Sequence, residues 1–222
     1  MDKTTDIKSV VFDLDGTLMK SSSTIYKTTI KTLEEFNINP SFSENDFNTK
    51  IGYHFKDIFD DFNIDITDLE YFIEVYKSYY FDYIDDSKFY PNVFETLDVL
   101  NKNKITASIL TTKAQDQVDK IIDHFSVRKY FSVIMGRRDG IKIKPAPDAL
   151  LKICKMIGTA PANTIMVGDS DLDLQCGKAA CTYTCAVTYG YGEKERLLNQ
   201  KPDFVIDDIK ELLSVINLQL DN

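Results

Sequence analysis

Three places in this 222-residue chain put oxygen-bearing side chains directly after a short apolar run. Asp13 and Asp15 follow Ser9-Val-Val-Phe12, Thr111 and Thr112 follow Ile105-Thr-Ala-Ser-Ile-Leu110, and Asp169 and Asp173 follow Thr164-Ile-Met-Val167. If the runs are strands of one open α/β sheet, their carboxyl ends open onto the crevice where such sheets bind ligands. Gathering carboxylates there is costly, because like charges about 4 Å apart repel by roughly 4 kcal/mol at an effective dielectric of about 20. A cation must offset that repulsion.

Hard carboxylate oxygens suit Mg²⁺, which keeps several waters and is held by one or two carboxylates together with substrate phosphate. The acids therefore point to Mg²⁺ and a phosphorylated substrate. Lys144, in Lys144-Pro-Ala-Pro-Asp148, supplies further positive charge. A compact ammonium neutralises both a carboxylate and the oxygens of a transferring phosphoryl group. Alone, Lys144 reads as a surface lysine beside a helix start; the acids give it partners.

The elements that must position these groups are legible in the apolar pattern. The runs at Ser9, Ile105, Phe131–Met135 and Thr164 are short and rich in β-branched or aromatic residues, with later strands expected at Thr182–Val187 and Phe204–Ile206. Between them Val93, Leu97 and Leu100, then Val118, Ile121, Ile122 and Phe125, then Leu150, Ile153, Cys154 and Ile157 recur at helical steps. Strand and helix alternating from about Ile105 onward predict an α/β fold with a Rossmann-like parallel sheet. Residues 21–88 break the rhythm with helical stripes such as Tyr26, Ile30, Leu33 and Phe36, so a helical unit is expected there, inserted into a core of residues 1–20 and 89–222. Its aromatics Phe72, Tyr76, Tyr79, Tyr80 and Tyr83 read as helix core rather than a ligand-stacking surface.

Composition sets the outer limits. Hydrophobic residues at 43% and charged residues at 27% are ordinary for a globular chain. A net charge of -9 argues against nucleic acid as a partner. Met1–Ser9 shows no signal-peptide pattern, and no apolar stretch is long enough to span a bilayer, so no membrane association is expected and the expected location is cytoplasmic. Cys154, Cys176, Cys181 and Cys185 form no CxxC pair and read as reduced and structural. Nothing fixes the oligomeric state; a monomer or weak homodimer is the expectation.

The chain resembles the haloacid dehalogenase superfamily, in particular phosphoglycolate phosphatases and β-phosphoglucomutases with a helical cap. Asp13-Leu-Asp-Gly-Thr-Leu18 matches the first motif, Thr111 the second, Lys144-Pro145 the third and Gly168-Asp-Ser-Asp-Leu-Asp173 the fourth. The resemblance implies a phosphatase for a small phosphorylated metabolite of the phosphoglycolate, sugar phosphate or nucleotide monophosphate class. Asp13 would be the nucleophile and Asp15 the general acid and base. Mg²⁺ would be bound by the Asp13 carboxylate, the Asp15 backbone carbonyl and Asp169, with Asp173 directly or at one remove; a helix N-terminal acid is the rival reading for Asp173. Thr111 would contact a phosphoryl oxygen. The inserted segment would be the cap, with His54 and Lys56 in Ile51-Gly-Tyr-His-Phe-Lys56 as candidate substrate contacts against a solvated alternative.

Two positions depart from the common pattern. Thr112 stands where many relatives carry Asn, and Lys20 where many carry an acid. Arg137 and Arg138 could steer an anion, with solvated loop charge the competing reading. A phosphomutase would reuse the same core, but such mutases often have Val where this chain has Thr17. A receiver-type signalling domain shares Asp, Thr, Lys-Pro and Mg²⁺, but places its extra acids before the phospho-accepting Asp; here Asp169 comes last.

Overall fold

The computed structural model describes residues 6–218; residues 1–5 and 219–222, including most of the Met1–Ser9 segment and the last residues of the expected core, lie outside the described residues. Its centre is a six-stranded sheet whose pairs are all parallel. The strands are β1 (Ser9–Phe12), β4 (Thr106–Ala114), β5 (Val133–Arg137), β6 (Thr164–Gly168), β7 (Tyr183–Val187) and β8 (Phe204–Ile206), in the order β5-β4-β1-β6-β7-β8. Every residue of β1 is buried, which explains an uninterrupted apolar run where a half-exposed strand would alternate.

The helices α5 (Val93–Lys102), α6 (Gln115–His124), α7 (Asp148–Ile157), α8 (Asp171–Ala179), α9 (Lys194–Asn199) and α10 (Glu211–Val215) connect and cover the strands. Two apolar clusters form most of the core, one holding Val10, Phe12, Ile109 and Ile165, the other Val11, Leu110, Met135 and Met166, with a small third of Leu174, Ala186 and Leu197. Alternate β1 residues thus serve opposite sheet faces, as strand geometry requires. From β1 the chain proceeds to β4 and β5 on one side, then crosses to β6, β7 and β8 on the other. This reversal at β1 is a topological switch point, where open α/β sheets bind ligands.

Between β1 and β4 the chain runs through α1 (Ser22–Glu35), α2 (Glu44–Asn48), α3 (Phe55–Asp61) and α4 (Leu69–Tyr80), none of which adds a strand to the sheet. Phe72, Tyr76 and Tyr80 face inward from α4, in line with the helix-core reading of the aromatics. One feature was not anticipated: β2 (Met19–Lys20) and β3 (Lys88–Phe89) pair antiparallel where the chain leaves and rejoins the core. Two-residue strands are too short to show a period. Strand limits also shift from expectation: β4 runs past Leu110 to Ala114, and β5 spans Val133–Arg137 instead of Phe131–Met135. Among the described residues no helix is long and apolar enough to cross a membrane.

Candidate active site

Asp13 stands one residue beyond β1, and its backbone N–H still donates to the Val167 carbonyl at 2.9 Å. The β1–β6 register, Phe12 opposite Val167, therefore fixes Asp13 beside the mouth of β6, where Asp169 begins the next loop. Carboxylate oxygens of Asp13, Asp169 and Asp173 lie within 4.8 Å of one another. All three residues are buried. Asp13 and Asp169, 156 positions apart in sequence, meet because two parallel strands end at the same level.

Lys144 is the counter-charge. Its Nζ lies 2.8 Å from Asp13 Oδ1 and 2.6 Å from Asp173 Oδ1, with its side chain 2% exposed. Burial works against the ammonium charge, but Asp13 and Asp173 outweigh it and hold the Lys144 pKa above that of a free lysine. The carboxylates stay over-supplied with negative charge. Burial raises the Asp13 pKa well above the usual carboxylate range; Lys144 opposes this, while Asp173 and Asp169 add to it. Burial and then Asp173 push Asp169 up to about 7, against the hydrogen bonds it accepts and the more distant Lys144. Three buried carboxylates with one ammonium form a donor set of hard oxygens whose excess charge a divalent cation would relieve.

Each acid is also held in place. Ser170 caps α8: its Oγ receives the Asp173 N–H, while Asp173 Oδ2 accepts from the Ser170 N–H at 3.0 Å and from its hydroxyl. Asp173 thus serves as a helix N-terminal acid, the rival reading for this residue, and is also a partner of Lys144. Asp169 accepts from the Thr17 hydroxyl at 3.2 Å and the Tyr191 N–H at 2.7 Å. Gly16 has φ of +81°, and a Cβ there would fall 2.1 Å from Asp169 Oδ2. Only glycine permits both the left-handed turn and that close approach.

Asp15 occupies a separate position. Its carboxylate is outside the acid triad, accepts from the Ser21 hydroxyl and meets Lys113 Nζ at 3.2 Å. Lys113 was missed in the sequence. The β4–β5 register shifts between Leu110 and Ala114, and this irregularity sets Thr111, Thr112 and Lys113 at the sheet mouth. Thr111 is 2% exposed, and its Oγ1 accepts the Lys113 N–H at 3.3 Å. Lys113 also lies over the Tyr80 ring, 4.7 Å from its centroid. Its position two residues beyond Thr111 at one strand mouth was the available signal.

A second omission is the loop after β7. Tyr189 donates its hydroxyl to the Thr17 carbonyl at 2.8 Å, and the Tyr191 hydroxyl accepts from the backbone N–H groups of Ser21 and Ser22. No local pattern announces this loop, because its partners lie some 170 residues away.

The insert reaches the site through the segment before α3. Tyr53 donates its hydroxyl to Asp171 at 2.5 Å and accepts from Arg196 at 2.6 Å. His54 caps α3, its Nδ1 accepting the Lys56 N–H, while Nε2 lies 2.6 Å from Arg137 Nη1. Burial, and then the Arg137 charge, lower the His54 pKa from the usual imidazole value. Thr112 and His54 line a cavity of about 90 Å³ beside Asp15. Lys56 does not join them: it is 67% exposed and pairs with Asp60 on its own helix, the solvated alternative for that residue. Arg138 is exposed and bonds Gln115. Among the described residues the cysteines are unpaired, with Cys154, Cys176 and Cys185 buried and Cys181 exposed. Burial pushes the Cys176 thiol up to about 12, which suits an inert core residue.

The haloacid dehalogenase-like hydrolase family model matches residues 10–187. This chain belongs to that family and is accordingly an enzyme of the hydrolase class. It is 31% identical over 212 residues to the pyrophosphatase PpaX of Bacillus cereus (strain AH820), covering 95% of this chain and 97% of the relative. The pyrophosphatase PpaX of Oceanobacillus iheyensis is 29% identical with the same coverage. Among solved structures, a predicted phosphoglycolate phosphatase from Haemophilus somnus superposes with a TM-score of 0.85 at 29% identity, over 95% of this chain and 98% of that one. A predicted phosphatase from Clostridium acetobutylicum gives 0.81 at 27% identity, with the same coverage.

Proposed function

We propose that the chain is a Mg²⁺-dependent phosphatase of small phosphorylated compounds, working through an aspartyl-phosphate at Asp13. The observation that carries this reading is the Asp13 carboxylate, fixed at 2.8 Å by Lys144 in a buried acid cluster, with Asp15 two residues on and turned to an adjoining cavity. Asp13, Asp169 and Asp173 would hold the ion, with the Asp15 backbone carbonyl assigned to it by family resemblance. When bound, Mg²⁺ would supply positive charge to the carboxylates and the phosphoryl oxygens.

In the first step an Asp13 oxygen forms a bond to phosphorus while the bond to the leaving oxygen breaks, and Asp15, entering the step protonated, gives that oxygen its proton and is left as the carboxylate that Lys113 faces. In the second step Asp15 takes a proton from water, whose oxygen bonds to phosphorus as the Asp13–phosphorus bond breaks. Phosphate departs and Asp13 is restored. Lys144 and the Thr111 hydroxyl face the phosphoryl oxygens and stabilise the charge they carry. Residues 21–88 act as a cap that excludes water from transfer, with the Tyr53 and His54 contacts marking its closed position. Unpaired cysteines suit a reducing, cytoplasmic setting.

Relatives named pyrophosphatase and phosphoglycolate phosphatase favour hydrolysis over the phosphomutase alternative. Phosphate release from a panel of phosphorylated metabolites, with Mg²⁺ and with chelator, tests the reading. Release that requires Mg²⁺ and no bisphosphate activator supports it; isomerised product without free phosphate overturns it.

A further inference from the structure

The geometry points to Tyr191 as a positioning residue for the reaction: its hydroxyl caps the start of α1 and so leaves the Ser21 hydroxyl free to hold the Asp15 carboxyl. The inference rests on the phosphatase reading above and adds to it a residue outside the motif segments, on the loop between β7 and α9.

A serine directly before a helix ordinarily turns its oxygen onto an N–H group of the first turn. Ser21 precedes α1, yet its side chain makes no such bond; its Oγ donates instead to Asp15 Oδ1 at 2.5 Å. The helix start is served from elsewhere. The Tyr191 hydroxyl oxygen accepts the Ser21 N–H at 2.6 Å and the Ser22 N–H at 2.9 Å. Both serines are buried, so water is a poor substitute for that oxygen.

The loop that carries this hydroxyl is seated against the acid cluster. The Tyr191 N–H donates to Asp169 Oδ2 at 2.7 Å, and Tyr189 donates its hydroxyl to the Thr17 carbonyl at 2.8 Å. A Cβ on Gly190 would stand 2.5 Å from the Gly16 carbonyl oxygen, so the loop lies close against the first-motif turn. Tyr191 therefore joins two parts of the site: its backbone holds Asp169, and its hydroxyl holds the first turn of the inserted segment.

Removing the hydroxyl alone has a directed consequence. Two buried N–H groups lose their acceptor, which is costly. The adjacent Ser21 hydroxyl is the available replacement, and capping is the role a serine prefers at that position. Turned to the helix, it no longer holds Asp15. The loss then falls on proton donation to the leaving group and spares phosphate binding.

The test compares the parent with Tyr191→Phe, Ser21→Ala and the double variant, by kcat and KM for phosphate release with Mg²⁺. p-Nitrophenyl phosphate and inorganic pyrophosphate lose groups that need little protonation, whereas ethyl phosphate and 2-phosphoglycolate lose alkoxides that need a proton. Tyr191→Phe should lower kcat for the alkoxide pair by about tenfold or more and for the other pair by no more than about threefold, with KM within about twofold of the parent. Ser21→Ala should show the same pattern. The double variant should fall about as far as one single variant, because both substitutions remove the same Asp15 contact. That comparison decides even where the parent turns over only one pair.

Equal losses on both pairs in a variant that melts like the parent overturn the inference while leaving the phosphatase reading intact. So do losses that multiply in the double variant, and so does a Tyr191→Phe enzyme with parent kinetics. Should Tyr191→Phe not fold, parent kcat on the alkoxide pair in Ser21→Ala overturns the inference by itself, since the contact that Tyr191 protects would then do nothing. Phosphate released by the parent from none of the four removes the phosphatase reading, and the role of Tyr191 with it.

Discussion

Lys113 Nζ sits 3.2 Å from Asp15 Oδ2, with both side chains more than nine-tenths buried, so the Asp15 carboxylate has a dedicated counter-ion separate from the Lys144 that serves Asp13. The two aspartates of the first motif are therefore divided electrostatically although one residue separates them. Asp13 shares its lysine with a second carboxylate, whereas Asp15 has a lysine, the Ser21 hydroxyl and an open cavity.

Lys113→Met should leave a buried carboxylate without its cation, at a cost of about 3 kcal/mol in stability. Thermal or denaturant unfolding of the variant measures this. A melting temperature equal to the parent's would show that the ion pair contributes nothing to the fold.

Asp13→Asn should lower kcat by roughly 10⁴-fold or more, since it removes the atom that bonds to phosphorus. Asp15→Asn should retain binding but slow turnover by about 10²–10⁴-fold, with the larger loss on substrates whose leaving group is more basic. Steady-state kinetics over a leaving-group series reads both effects. An Asp15 variant insensitive to leaving-group basicity would strip that residue of its acid role.

Gly16→Ala should destabilise by more than about 1 kcal/mol and displace Asp169, because the new Cβ would stand 2.1 Å from Asp169 Oδ2 at a φ of +81°. Weaker Mg²⁺ binding by calorimetry, together with a lower melting temperature, is the expected pair of results. Parent-like values for both would contradict the tight Gly16–Asp169 approach.

Metal-free protein should lose stability as pH rises from about 4 through 7. Asp169 has a folded-state pKa of about 7 against 3.8 as the ordinary value, so in that window the folded state holds a proton that the unfolded chain has released. Each rise in pH then favours unfolding. Melting curves in chelator at acid and alkaline pH, repeated with Mg²⁺, should show a fall that the ion reverses. A chelated protein whose stability is flat over this range would oppose the picture of overcrowded carboxylates.

The parts legible in the sequence share one property: they follow directly on a buried apolar run that forms a strand. Asp13, Thr111 and Asp169 could be placed because an apolar run signals a strand, and parallel strands deliver their ends to one edge. Asp173 follows the same apolar run as Asp169, and Lys144 follows from charge, since clustered acids require a cation. What stayed hidden depends on tertiary approach. Tyr191 reaches Asp169 across a loop junction, Lys113 is aimed by an irregularity in β4, and the β2–β3 ribbon is two residues deep. Lys56, a candidate substrate contact with a solvated alternative, lies in the first turn of α3, which turns it to solvent, where Asp60 pairs with it. His54, two residues earlier, is the cap of that helix and faces Arg137 instead.

The central claim is that phosphorus is transferred first to Asp13. Enzyme quenched with acid during turnover and reduced with borohydride should carry homoserine at position 13, read by peptide mass spectrometry, because an acyl phosphate is reducible and a free carboxylate is not. Modification confined to Asp13, and absent without substrate, is the result this account predicts. An unmodified Asp13 in enzyme that is turning over, or reduction at another residue, would contradict it.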